Sequence, residues 1–395
     1  MAGTANSATI SGIISGAGAF TVRCGVNVTP ISFGTLTLGG NNTFSGALTI
    51  NPFVKVVAAN ANALGTTAGG TTVNAGGALA LNLGGTYASE GLTLNAGGIA
   101  GAGALENLSG ANVLNGGITL ASASTLGVTA GNLTLGGVIS GAFPLTKTGP
   151  GALTLTAAET YSAGTLVNAG TLYVNGSLPI GNAVSVYSGG GLGGVGIING
   201  PVTVQNGASL APGVGAPGKL TVNGPLNLFG NTTMLLNKAT PTNSQIAGVS
   251  ALVYGGTLSV TNLGGTLAVG DTFKLFSAQE YYGGFTTLNL PALGANLSWS
   301  NSLASNGSLQ VITNPPSVSL VPIKVSFSLS GGQLLFAWPA DHTGWRLVAQ
   351  TNNLATGLSS NTNDWSTVNG SALTNQVAIP VDPTKPTEFY RLVYP

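Results

Sequence analysis

The sequence predicts an all-β protein, a right-handed parallel β-helix followed by a small antiparallel β-sandwich. Short segments that alternate apolar and hydroxyl residues recur about every ten positions, and such alternation gives a strand one apolar and one polar face. The turns between them repeat the words Asn-Ala-Gly and Leu-Gly-Gly, as expected where each coil follows the backbone path of the previous one. Near residue 314 the composition changes, which indicates a second domain.

Composition excludes several classes of protein. Only 5% of the 395 residues are charged and 63 are glycine, so uninterrupted helix-forming runs are rare and we expect almost no helix. The net charge is +1 and basic residues are scattered singly, which argues against nucleic acid or an anionic membrane surface as a partner. No stretch reaches the roughly 20 apolar residues of a transmembrane helix. The single cysteine, Cys24, cannot form a disulfide within the chain.

The strand rhythm is steady from Ile31 to Ile312. We assign residues 1–30 to an N-terminal cap or first coil, residues 31–270 to the β-helix, and residues 271–313 to a C-terminal cap richer in aromatic side chains. At about 20 to 25 residues per coil, the rod would have on the order of a dozen coils. Short strands at this spacing also fit an antiparallel sandwich. The repeated turns, and the Asn and Thr ladders that parallel coils allow, favour the β-helix.

One segment carries the pattern in its fullest form. Residues 145–173 read LTKTGPGALTLTAAETYSAGTLVNAGTLY and resemble the autotransporter-associated β-strand repeat. The passages from Thr203 to Gly224 and from Gly265 to Pro291 resemble other parts of autotransporter passengers, the latter the segment that closes a passenger. The resemblance implies a β-helix located outside the cell or on its surface.

The chain also departs from that family. An autotransporter would continue into a membrane barrel of roughly a dozen strands, whereas about eighty residues follow Ile312. We therefore expect no translocator barrel. The start, Met1-Ala2-Gly3-Thr4, lacks the charged residues and apolar run of a signal peptide, so we expect a form from which any signal is absent.

Residues 314–321 are interpreted as a proline-rich linker, and residues 322–395 as a small β-sandwich module. The module resembles one that ends repeat-rich secreted proteins of Gram-negative bacteria, where sorting, anchoring and carbohydrate binding are all open roles. Three of its tryptophans belong either to its core or to a surface on which sugars stack, because an aromatic face suits the apolar face of a sugar. These candidate glycan-stacking residues are Trp338, Trp345 and Trp365.

Patterns for chemistry are weak. Gly191 to Gly196 satisfies G-x-G-x-x-G, but no helix is expected after it, and Gly213 to Lys219 lacks the Ser or Thr that completes a P-loop. One His and one Cys cannot supply a metal site. Five acids are dispersed and interpreted as solvated turn residues: Glu90, Glu106, Glu159, Asp271 and Glu280. His342 beside Asp341 is interpreted as a loop hydrogen bond. We predict no catalytic, cofactor-binding or metal-binding residues.

The resulting hypothesis is a secreted or cell-surface structural solenoid, without catalysis, that acts in adhesion or in an extracellular matrix. Its low charge predicts self-association, end to end or through the terminal module, into filaments or a surface layer. The alternative is a polysaccharide-binding or polysaccharide-degrading β-helix protein.

Overall fold

The computed structural model describes residues 6–24, 33–314, 319–385 and 387–394. Strands make up 48% of the chain and helix 4%, which confirms the predicted all-β class. Contacts divide the chain into two compact units. The first comprises residues 1–294 and 299–312, and the second comprises residues 295–298 and 313–395.

The first unit is a parallel β-solenoid of about 10 turns, so the predicted parallel architecture is confirmed. Its coils wind around three faces. The first face carries the strands Asn6–Ile10, Gly34–Leu38, Val54–Ala58, Ala78–Leu81, Leu105–Asn107, Ser124–Val128, Leu145–Thr148, Thr165–Val167, Val184–Val186, Val202–Val204, Leu226–Leu228, the end of Gln245–Tyr254, and Phe276–Gly283. The second face carries Ala111–Leu114, Asn132–Leu135, Ala152–Leu155, Gly170–Val174, Gly190–Gly194, Ser209–Pro212, Asn231–Asn237, Thr257–Asn262 and Thr287–Asn289.

The third face begins with six paired strands and continues, farther along the chain, with four more. The first group is Phe20–Val22, Leu48–Ile50, Thr71–Val73, Leu92–Leu94, Ile118–Leu120 and Ile139–Ser140. The second group is Ser177–Leu178, Ile197–Ile198, Lys219–Val222 and the start of Gln245–Tyr254. Two short elements lie outside the faces: the strand Thr242–Asn243, antiparallel to Asn231–Asn237, and the 3₁₀ turn Ile99–Gly101.

In-register leucines form the solenoid core. On the second face Leu133 pairs with Leu153, Leu153 with Leu172, Leu172 with Leu192, and Leu192 with Leu210, and all five side chains are buried. Alternation along each strand turns these leucines inward and their Thr, Tyr or Gly neighbours outward. Each buried leucine contributes on the order of 1.5–3 kcal/mol, so stacking of identical positions holds consecutive coils together.

The number of residues in a coil varies along the unit. A rung takes 19 residues from Leu153 to Leu172 but 30 from Thr257 to Thr287. The shortest rungs lie in the middle of the unit: Val184 and Val202 are 18 residues apart, whereas Asn6 and Gly34 are 28 residues apart.

The strand Gln245–Tyr254 passes from one face to another. Its start pairs with Lys219–Val222 on the third face, and its end pairs with Leu226–Leu228 on the first. Gly248 lies between these halves with φ +81°, and a Cβ there would come within 2.7 Å of the Asn223 side chain. Glycine therefore permits the corner without interrupting the strand.

An aromatic cluster and a small sheet follow the last coils. The ring of Tyr254 lies 5.3 Å from Phe276 and 4.8 Å from Phe285, and its hydroxyl donates to the carbonyl of Leu303 at 3.0 Å. The sheet contains the strands Thr272–Lys274, Leu297–Ser302 and Ser308–Thr313, with the helix Leu303–Asn306 between the last two. These aromatic contacts bury part of the final coil.

The second unit contains two three-stranded antiparallel sheets, in agreement with the predicted small β domain. The first sheet consists of Ser326–Ser330, Gln333–Ala337 and Gln376–Pro380, and the second of Arg346–Thr351, Ser366–Thr367 and Glu388–Val393. Phe336 and Trp338 of the first sheet region share a core with Leu347 of the second. Three 3₁₀ turns connect the strands: Ala340–His342, Thr362–Asp364 and Ser371–Leu373.

Candidate functional site

The three candidate sugar-stacking tryptophans occupy different environments. Trp338 is 4% exposed in the module core. Trp345 is 8% exposed, and its indole N–H donates to the carbonyl of Ser319 at 2.8 Å. Trp365 is only half-buried, and its N–H donates to the carbonyl of Ser359 at 3.0 Å. Stacking at these residues stays a prediction, and Trp365 presents the most surface for it.

A cleft of about 300 Å³ lies beside Trp365. The floor of the cleft is formed by two antiparallel strands, Arg346–Thr351 and Glu388–Val393. In this pair Leu347 lies opposite Leu392, and both side chains belong to the core of the module. Alternation therefore turns Arg346 and Arg391 to the outer face of this sheet. The cleft is lined by Arg346, Val348, Thr362, Trp365, Thr367, Arg391, Val393 and Tyr394.

One arginine is in direct contact with an aromatic ring in this cleft. The guanidinium carbon of Arg391 lies 4.1 Å from the centre of the Trp365 ring, a cation–π contact. Tyr394 is 47% exposed. Sequence reasoning identified Trp365 but missed both arginines. The signal was present as the repeated word Arg-Leu-Val at residues 346–348 and 391–393, which gives both strands the same pattern of inward and outward side chains.

Three of the dispersed acids of the solenoid are not exposed to solvent. Glu90, Glu106 and Glu159 are buried, so their interpretation as solvated turn residues was wrong. In each of them, one carboxylate oxygen accepts a hydrogen bond from another coil. Oε1 of Glu90 accepts from the Thr71 hydroxyl at 2.5 Å, and Oε2 of Glu106 accepts from Lys55 Nζ at 2.7 Å. These carboxylates therefore form hydrogen bonds between coils inside the solenoid.

Burial also changes the ionisation of two of these acids. Desolvation raises the pKa of Glu90 to about 7, partly offset by the hydrogen bond from Thr71. It likewise raises the pKa of Glu159 to about 7, partly offset by the Ile139 amide, which donates to Oε2 at 2.5 Å. By contrast, the hydrogen bond from Lys238 holds the pKa of Asp271 below its usual value. Glu280 is exposed and accepts from the Tyr282 hydroxyl.

The remaining patterns have structural positions. Most of the G-x-G-x-x-G segment lies in the buried strand Gly190–Gly194, and Lys219 begins the strand Lys219–Val222. His342 is bonded to the carboxylate of Asp341, as the loop interpretation expected, at 2.8 Å. Within the ranges that the structure describes, no three or more His, Cys, Asp or Glu residues are grouped so as to hold a metal ion. In the same ranges, no helix is long and apolar enough to cross a membrane.

Comparison with protein families identifies one repeat. The model of the passenger-associated transport repeat matches residues 33–51 and 145–174. The second match coincides with the segment in which the repeat pattern is fullest. No curated protein matches the chain. With the solenoid fold, the match makes the chain similar to the passenger β-helices of autotransporters.

Proposed function

We propose that the chain acts outside the cell, or on its surface, as a non-enzymatic structural or adhesive rod that assembles with copies of itself. The observation that carries the proposal is the continuous parallel ladder built on passenger-type repeats. Such a ladder stabilises an elongated body without disulfides, which suits an extracellular scaffold. Only 5% of residues are charged, so little electrostatic repulsion keeps copies apart.

The strand Asn6–Ile10 provides a specific surface for assembly. It pairs with Gly34–Leu38 along one edge, and no described strand pairs with its other edge. The carbonyl of Ile10 faces the paired strand, where it accepts from Gly39. Since alternate residues face opposite edges, the backbone groups of Ser7 and Thr9 face outward and could pair with a strand of another copy.

Substitution of Thr9 tests this assembly. Thr9→Pro removes an outward N–H while leaving the inward ladder intact, and Thr9→Val is the matched control. Sedimentation velocity and electron microscopy at micromolar concentration should detect larger species for the native chain and for Thr9→Val, in low and high salt, but fewer for Thr9→Pro. A single monomeric species for the native chain would refute the proposal.

A lack of catalysis is part of the same proposal. The buried positions of Glu90 and Glu159 do not offer two carboxylates to a polysaccharide on the surface, as glycoside hydrolysis requires. We expect no new reducing ends or unsaturated products after incubation with plant, algal or bacterial polysaccharides. Either product would support the polysaccharide-degrading alternative.

Polysaccharide binding is the second candidate function, and the cleft beside Trp365 favours it. A half-buried indole next to hydrogen-bonding side chains is a common arrangement for holding a sugar ring. Affinity electrophoresis of the native chain and Trp365→Ala in gels that contain single polysaccharides would test it. Equal mobility of both proteins in every gel would argue against this function.

A further inference from the structure

Two arginine side chains, Arg346 and Arg391, line the cleft beside Trp365. Arg346 pairs in register with Val393, and Arg391 pairs with Val348. The arginines are therefore diagonal neighbours on one face of the antiparallel pair, a relationship that places the Cα atoms about 7–8 Å apart across the two strands and brings both side chains within reach of one ligand. Like charges on one face of a sheet repel each other, and an anion bound between them would reduce that repulsion.

No carboxylate in the described ranges forms an ion pair with either arginine. Lysines or His342 supply the cation in the four ion pairs found there. The acid nearest in sequence to each arginine has another partner: Asp341 lies 2.8 Å from Nδ1 of His342, and Glu388 pairs with Lys385 at 2.5 Å. Among the described residues, therefore, no direct ion pair neutralises either arginine.

Two further features suggest that the pair is open to a ligand. Nε of Arg391 is buried and has no hydrogen-bond partner among the described residues, although the guanidinium itself is held against Trp365. Arg346 is exposed, and its Nη1 donates only a long hydrogen bond of 3.5 Å to the Thr367 hydroxyl. An unpaired buried N–H is costly, and a bound acceptor would reduce that cost.

We infer that the cleft binds the carboxylate of an acidic sugar, a hexuronate within an extracellular polysaccharide. The inference rests on the second candidate function above. The planar fork of a guanidinium suits a carboxylate, which accepts two parallel hydrogen bonds from one arginine and can accept a further bond from the second. The rings of Trp365 and Tyr394 provide apolar surfaces for the sugar itself, and a cleft of about 300 Å³ has room for a single residue of the polymer.

Binding of uronate oligosaccharides to the native full chain tests the inference. The ligands are oligogalacturonate and oligoalginate, and the matched neutral control is oligogalacturonate whose carboxylates are methyl esters. Calorimetry and tryptophan fluorescence should detect binding of at least one acid oligosaccharide, with at least tenfold weaker binding of the ester. Inorganic phosphate should fail to displace the sugar at equal concentration.

Variants locate the site. Arg346→Gln removes one guanidinium from the site and should weaken uronate binding at least tenfold. Because Arg346 is exposed, the substitution should leave the fold intact. Arg391→Lys keeps a cation over Trp365 but loses the fork, so it should also bind more weakly. Lys219→Gln, at an exposed lysine of the solenoid, is the control and should bind as the native chain does.

The inference would be overturned if no uronate oligosaccharide bound, if Arg346→Gln bound as tightly as the native chain, or if phosphate displaced the sugar at equal concentration. Equal binding of the acid and its methyl ester would also overturn it, while leaving general polysaccharide binding in place. The assembly of the rod is measured separately and is unaffected by any of these outcomes.

Discussion

Lys147 Nζ donates a hydrogen bond of 2.9 Å to the carbonyl of Ala169, one coil farther along the solenoid. The same ammonium donates to the carbonyls of Thr148 at 2.9 Å and Gly149 at 2.7 Å. Lys147 is buried, and desolvation lowers its pKa to about 8. A lysine of the repeat thus ties the corner of one coil to the next through three backbone acceptors.

Replacement of this lysine should destabilise the solenoid. Lys147→Met keeps much of the side-chain volume but leaves three partly buried carbonyls without this donor, at a net cost of about 1–3 kcal/mol after the charge is removed. The urea midpoint of the variant should fall. Lys219→Met, at an exposed lysine of the same solenoid, should leave the midpoint unchanged. Equal midpoints for Lys147→Met and the native chain would contradict this role.

The buried acids predict an unusual dependence of stability on pH. The pKa values of Glu90 and Glu159 are about 7 in the folded chain and about 4.5 when unfolded, so between these values the folded state binds more protons. Their contribution to stability is therefore complete below pH 4.5 and is lost as the pH rises through 7. Glu90→Gln and Glu159→Gln should each raise stability by on the order of 1–2 kcal/mol at pH 8 and little at pH 4.5.

Thermal unfolding across this pH range measures the effect. The native midpoint should fall between pH 5 and 8, and the double variant should show a smaller fall. Glu280→Gln, at an exposed acid, is the control and should follow the native profile. A native midpoint that rises over the same range, or variants with the native slope, would contradict the prediction.

A charged residue should destabilise the solenoid far more at an inward position of a strand than at an outward position of the same strand. Leu155 is buried and Thr154 beside it is partly exposed on the strand Ala152–Leu155. Leu155→Asp buries an unpaired carboxylate and should cost about 3 kcal/mol or more, whereas Thr154→Asp places the same group in water and should cost little. Circular dichroism during urea unfolding compares the two, and similar losses would be inconsistent with the solenoid core.

His342 should titrate above the usual histidine range. Its Nδ1 lies 2.8 Å from the Asp341 carboxylate and its Nε2 lies 2.7 Å from the Val321 carbonyl. Since both partners are acceptors, they favour the doubly protonated ring and raise its pKa, the Val321 carbonyl most. The stability that this ring contributes is complete below the unfolded pKa of about 6.5 and is lost as pH rises through the folded value.

The chain has one histidine, so a single NMR signal reports this pKa. The folded value should exceed that measured for the same chain in urea, and Asp341→Asn should lower it. A folded value equal to or below the unfolded one would be incompatible with two acceptors around the ring.

Independent folding of the module also stays a prediction. Part of the linker assigned to residues 314–321, residues 315–318, lies outside the described ranges. Ser319 donates its N–H to the Asp341 carbonyl at 2.6 Å and accepts from Trp345, so the chain is held to the module from this residue onward. A protease of broad specificity should therefore cut before Ser319 and release a soluble fragment. A fragment that lacks the cooperative unfolding of a domain would contradict the prediction.

Much of the architecture was predictable because it is local and repeated. Alternation fixed which residues of strands such as Ala152–Leu155 face inward, and the recurring turns indicated parallel coils. Glu90, Glu106 and Glu159 show the limit of that reasoning. Whether a carboxylate is buried depends on a donor from another coil, such as Lys55, 51 residues before Glu106, and no pattern within one repeat records that donor.

The sequence by itself therefore determined the period, the inward face of each strand and the change of composition that precedes the module, because these depend on neighbouring residues. Only the tertiary structure decided which side chains from distant segments meet. It placed Arg346 and Arg391, 45 positions apart, on one face beside Trp365, and it turned the strand Gln245–Tyr254 from one face of the solenoid to another. These outcomes depend on register and packing between segments, which the periodicity of a single strand does not specify.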